Sequence, residues 1–146
     1  DGIFPIPFET YGEKNPNGYF YSEFYGCNYN EGSSREDALA FVSGFNNAVA
    51  EADYSETGYH YGNYFAEDNT ATNPNGQSAD FIWANFTKTK EMNDKATAAF
   101  EAEVQEKMFP LFSEFATCGD NPDVYHGWTL YDVDNKDFMP TFPPQE

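Results

Sequence analysis

Few residues in this chain are chemically reactive, which narrows the chemistry open to it. There are two histidines, His60 and His126, and two cysteines, Cys27 and Cys118. A histidine can serve as a haem ligand or a general acid/base, or it can be a hydrogen-bonded strand residue. Both histidines lie in tyrosine-rich stretches, and the structural role is the expected one. Asp132-Val-Asp-Asn-Lys-Asp137 starts like a calcium loop, with Asp132 and Asp134 alternating, and then departs from the pattern. A calcium loop needs glycine at its sixth position and glutamate at its twelfth, where this chain has Asp137 and Pro143. A solvated turn is therefore expected, and no metal. Asn85-Phe-Thr87 matches a glycosylation sequon but falls inside a predicted strand, a poor place for an acceptor. No P-loop, dinucleotide glycine pattern, zinc cysteine set or nucleophile elbow is present, so no cofactor is expected. What remains is aromatic and amide chemistry. His126, Trp83 and Asn85 are the candidate polar contacts, and Tyr25, Tyr61, Trp83 and Trp128 the candidate lining of a pocket. The competing explanation for the rings is an aromatic core.

The elements that must position these residues can be read from a repeat. Asn-Pro-Asn-Gly occurs at 15–18 and again at 73–76; it is strong turn chemistry, with Pro presetting φ and Gly completing the turn. Each copy precedes an aromatic strand, YFYSEFYGCNY after Gly18 and QSADFIWANFTK after Gly76. A helix follows each strand. The first is expected to open at Ser33 with Glu36 in capping-box spacing and to bury Leu39, Val42, Phe45, Val49 and Ala52. The second is expected to open near Asn93-Asp94 and to bury Ala96, Phe100, Val104 and Met108, with Pro110 kinking or breaking it and Gly119 and Pro122 ending it. A further strand follows each helix, near residues 58–65 and 124–131. The order strand, helix, strand, strand, helix, strand is the split βαβ, or ferredoxin-like, arrangement. The expectation is an α+β fold with a four-stranded antiparallel sheet and two helices on one face. One domain spans 19–137, preceded by an extended arm at 1–18 and followed by a Pro-rich tail at 138–146. His60 and His126 would then occupy opposite edges of the sheet, roughly 14 Å apart, too far to share a metal.

The same topology brings Cys27, near the end of the first strand, close to Cys118, just past the second helix. A disulfide is the expected outcome; the alternative is two free thiols, one buried as a small apolar residue. The bulk composition bears on partners and compartment. The 146 residues suit one domain, and 40% apolar content with 15 Phe and 11 Tyr suits a packed core. Twenty-five acidic residues against 7 basic leave a formal charge of −18, which repels phosphate backbones and anionic lipid, so neither nucleic acid nor membrane is an expected partner. No apolar run is long enough for a transmembrane helix, and no basic segment precedes an apolar one as in a signal peptide. The start at Asp1-Gly2, the low lysine content and the expected disulfide point to an extracytoplasmic setting: periplasmic, secreted or cell surface.

The element order, together with the strand-to-helix stretch Tyr25-Gly-Cys-Asn-Tyr-Asn-Glu-Gly32 followed by Ser33, resembles the dimeric α+β barrel superfamily. That resemblance implies a homodimer joined through open sheet faces and a cavity between sheet and helices, and it implies no particular reaction. The strands agree with a second covered face. Tyr19, Tyr21, Tyr25 and Tyr29 alternate with Phe20 and Phe24, and Phe81 and Trp83 alternate with Ile82 and Phe86, so both faces are apolar or aromatic. The expected function is a binding or structural role in an exported homodimer, with an apolar small molecule as the ligand class. The alternatives are a cofactor-independent oxygenase or isomerase working in the sheet–helix cavity, and an open assembly joined by the terminal arms.

Overall fold

The computed structural model describes residues Ile3–Phe4, 15–66, Ala71–Thr72 and 78–142. Its elements in chain order are β1 (Ile3–Phe4), β2 (Tyr19–Tyr29), α1 (Arg35–Glu51), β3 (His60–Phe65), β4 (Ala71–Thr72), β5 (Ser78–Ala79), β6 (Phe81–Thr87), α2 (Lys90–Ala99), a π-helical segment (Phe100–Val104), α3 (Gln105–Phe115), β7 (Ala116–Cys118) and β8 (Asp123–Trp128). The main sheet is antiparallel and runs β1-β3-β6-β2, with β7 and β8 sharing the far side of β2. The fold is α+β, roughly compatible with a ferredoxin-like arrangement. The main sheet contains six strands rather than four. Ile3–Phe4 adds an outer strand beside β3, and the expected fourth strand is divided. That division has a local cause. Residues 119–122, Gly-Asp-Asn-Pro, are turn formers, and Pro122 has no N–H to give a ladder. β7 therefore pairs with Cys27–Tyr29 and β8 with Tyr19–Phe24.

Both helices lie on one side. Val42, Phe45 and Val49 of α1, with Ala96, Val104 and Met108 from the second helix, share a core with Tyr59 and Tyr61. Cys27, Phe65, Phe81 and Phe115 form a second cluster, and Trp83 touches both. By strand alternation Phe20, Phe24, Tyr64 and Phe86 point the other way, where Phe24 meets Phe86 and Tyr64 at 5.9 and 6.3 Å between ring centroids.

Helix details differ from expectation in instructive ways. α1 is capped by Ser34, whose N–H donates to Asp37 Oδ2 at 2.8 Å. Ser33 instead closes a turn, its N–H donating to the Asn30 carbonyl at 3.0 Å. Ser34 and Asp37 have the same spacing as Ser33 and Glu36, so the preceding turn decides between them. Ala38, one position earlier, takes the core place expected for Leu39, which is 43% exposed. The second helix starts at Lys90, with the Thr89 hydroxyl accepting from Met92 N–H at 3.1 Å. Pro110 lies inside α3 without ending it. Both Pro110 and Glu106, whose carbonyl loses its partner, are on the solvent side. The helix stops at Phe115, so Ala116–Cys118 is strand rather than helix.

The π segment explains how the stripe of Ala96, Phe100, Val104 and Met108 works at all. Residues four apart on an α-helix drift about 40° per step around its axis. A π turn holds more residues per revolution, which rotates the later members back toward the sheet; Gln105 N–H bonds to Phe100 O, five residues earlier.

Cys27 and Cys118 are direct partners across β2 and β7 and form a disulfide spanning 91 residues of sequence. In the chain-entropy account, closing a loop of that length stabilises the fold by about 4–5 kcal/mol.

Candidate functional site

A cavity of about 530 Å³ lies between the sheet and the second helix. β2 contributes Glu23 and Tyr25, β6 contributes Trp83 and Asn85, and the helix contributes Asn93, Phe100, Met108 and Phe112. Cys118, Gly119 and Asp120 reach its rim, so the cavity lies against the point where the edge strand divides. The π segment is also on its wall through Phe100 and Glu101. The size falls within the usual range for small-molecule sites, as does the mainly apolar lining with a few placed polar groups.

The rings of the aromatic wall pack against one another. Trp83 stacks on Tyr61 at 4.9 Å with 5° between the ring planes, and Phe45 meets each of them edge-on at 5.0 Å. Tyr61 lies behind this wall, buried, with its hydroxyl donating to Asn46 Oδ1. Strand alternation explains the arrangement: Tyr61, Trp83 and Tyr25 sit on neighbouring strands with side chains on the helix face.

Asn85 is the best-fixed polar group. Its Oδ1 accepts from the Trp83 indole N–H and from the Tyr59 hydroxyl, each at 2.9 Å. An indole N–H can only donate, so the atom it meets is the amide oxygen, and the orientation of the amide follows. Both lone pairs of that oxygen are then engaged. The NH₂ group has no hydrogen-bond partner among the described residues, and Asn85 is part of the cavity lining. Asn93 is 8% exposed, and its side chain also makes no hydrogen bond among the described residues. Glu23 lies directly across from Asn85 in the β2–β6 register and forms no ion pair or hydrogen bond among those residues. Burial pushes the Tyr25 phenol up to about 12, helped by the neighbouring Glu23 carboxylate and then by Tyr21. It is a neutral hydroxyl throughout the ordinary pH range.

Of the residues expected to carry chemistry, Tyr25, Trp83 and Asn85 therefore meet at one cavity, with Tyr61 supporting it. Trp128 and His126 lie elsewhere. Trp128 packs against Tyr19 and Phe142 at 5.4 and 5.7 Å. His126 Nδ1 pairs with the Tyr19 hydroxyl at 2.6 Å on an exposed surface. His60 stacks on Phe86 at 4.9 Å, with β6 and β2 between its strand and that of His126. Asp132 is part of a turn, its Oδ1 accepting from Asp134 N–H at 2.9 Å. Among the described residues no group of three or more His, Cys, Asp or Glu is placed to hold a metal.

Several polar residues of the cavity are not among the expected site residues, Glu23, Tyr59 and Asn93 with them. Glu23 did leave a signal. It is the only charged residue in YFYSEFY and has the same strand parity as Tyr21 and Tyr25. Asn93 has the place of a helix opener in the sequence, and nothing there marks it as buried.

Compared with protein-family models, curated proteins and solved structures, the chain matches none.

Proposed function

We propose that this protein binds a small, largely apolar molecule between its sheet and its second helix. The observation that carries this reading is the Asn85 amide, clamped by Trp83 and Tyr59 with its NH₂ unpartnered among the described residues, in the lining of an aromatic-walled cavity of about 530 Å³. A side chain held by two neighbours and still offering hydrogen-bonding capacity at a cavity is a preorganised recognition group. The test is titration with a neutral fluorescent apolar probe, N-phenyl-1-naphthylamine, on wild type and on Thr97→Trp, which places a large ring at a lining position. Saturable one-to-one binding that the substitution weakens is the expected result. Absence of saturable binding to wild type removes the reading.

The finer architecture belongs to the same proposal. The sequence of strands around β2 and β6 supports a ferredoxin-like core. The rings of Phe20, Phe24, Tyr64 and Phe86 support a homodimer through that sheet face, as in dimeric α+β barrels. The disulfide supports an extracytoplasmic setting, and no described helix is long and apolar enough to cross a membrane.

A further inference from the structure

Resting on the cavity as a binding site, we propose that its ligand is an organic cation: a protonated amine with a flat apolar body, its ammonium group placed at Glu23. Three observations converge on this class. The first is a carboxylate without an ion pair. Glu23 lines the cavity beside Asn85 and has no hydrogen-bond or ion-pair partner among the described residues. Lys90 is near enough for its charge to be felt at Glu23 as well as at Tyr21, but its ion pair is with Asp94 at 2.9 Å. A carboxylate on a partly apolar wall gains most from a ligand that brings the missing positive charge, through a charge-assisted hydrogen bond.

The second observation is the sign of the surroundings. The described lining contains Glu23, Glu101 and Asp120 and no Lys, Arg or His, on a chain of formal charge −18. An anionic ligand would meet like charge with nothing to offset it, whereas a cation is drawn in.

The third is the wall itself. Tyr25, Phe45, Trp83, Phe100 and Phe112 present rings to the cavity. Ring faces attract cations, and their flat surfaces take an aromatic or aliphatic body equally well. The two amides complete the recognition. Asn93, 8% exposed and without a side-chain partner, adds an acceptor for a second ammonium N–H. The Asn85 NH₂ donates to a hydroxyl or carbonyl oxygen that the ligand carries near its nitrogen.

The experiment is displacement of the bound neutral probe by three molecules of one shape at pH 7: 4-phenylbutylamine, 4-phenylbutanol and 4-phenylbutanoate. The expected order is amine first by about tenfold over the alcohol, with the carboxylate weakest. In Glu23→Gln the advantage of the amine over the alcohol should fall to within about threefold. Saturable one-to-one binding of the neutral probe by Glu23→Gln shows that the variant keeps its cavity. Equal affinity of amine and alcohol in wild type overturns the proposal while leaving the binding site itself intact. So does an amine preference that survives Glu23→Gln, since the selectivity would then arise from the charge of the whole chain. A probe that does not bind at all removes the binding site and this proposal together.

Discussion

Individual side chains at the cavity carry charge and hydrogen-bonding states that the surrounding packing dictates. Tyr25 is the clearest case, because burial first and the Glu23 carboxylate second disfavour its phenolate and raise its pKa from 10.0 to about 12. The consequence for stability has a definite sign. Below pH 10 both folded and unfolded chains hold the proton, and the stability linked to this group is fully present. As pH rises toward 12 the unfolded chain has released its proton and the folded chain has not. Unfolding is then favoured, and that stability is lost progressively through the interval. Tyr19, Tyr21, Tyr29 and Tyr64 are also raised, so absorbance titration of the tyrosines should show a late-titrating component that is reduced in Tyr25→Phe. The variant should also lose less stability than wild type between pH 10 and 12 when unfolded by urea. A Tyr25→Phe titration curve lacking any change in its late component would contradict this assignment.

At the scale of elements, the turn at Asn15–Gly18 acts as a tie as well as a link. Asn15 Nδ2 donates to the carbonyls of Tyr19 and Lys88 at 3.0 and 2.8 Å, joining the start of β2 to the end of β6. Thr129 N–H donates to Gly18 O at 2.8 Å, and Thr141 N–H to Asn17 O at 3.0 Å, which brings in the segment after β8. Gly18 has φ +80, and a Cβ there would lie 2.7 Å from Phe138 Cζ and 3.1 Å from Thr129 O. Gly32 has a comparable φ of +82 with nothing within 4 Å. The pair separates backbone strain from crowding. Gly32→Ala should cost about 1 kcal/mol for the left-handed conformation alone. Gly18→Ala should cost about 2–3 kcal/mol, since the strain and the clash act together. Denaturant unfolding of the two variants measures both, and equal losses would show that Phe138 moves aside freely. The second copy of the turn, at 73–76, lies outside the described residues.

At the scale of the whole molecule, rings occupy both faces of one sheet. Helix-side rings are enclosed by α1 and the second helix, while Phe20, Phe24, Tyr64 and Phe86 form a half-buried group on the opposite side. If that group joins two copies, light scattering should give twice the chain mass at micromolar concentration, and Phe24→Glu should return the monomer mass with the far-UV circular dichroism spectrum retained. A monomer mass for wild type across a wide concentration range would exclude the homodimer, and a mass that keeps growing with concentration would point to the open assembly.

Local chemistry was enough to locate most of this architecture. Turn residues at 15–18 and 119–122, alternating rings in β2 and β6, and the four-residue stripe from Ala96 to Met108 each act over a few neighbouring residues, so they can be read directly from the chain. The partnership of Cys27 with Cys118 was legible too, because strand and helix order constrains which ends meet. Tertiary structure decided the rest. Whether Ser33 or Ser34 caps α1 depended on a turn upstream. Whether Pro110 ends a helix depended on which side of that helix faces solvent. The cavity brings Glu23, Asn85 and Asn93 together from two strands and a helix, and their proximity depends on how far the second helix stands from the sheet. That spacing is a balance of packing summed over the whole core, so a local sequence pattern carries no record of it.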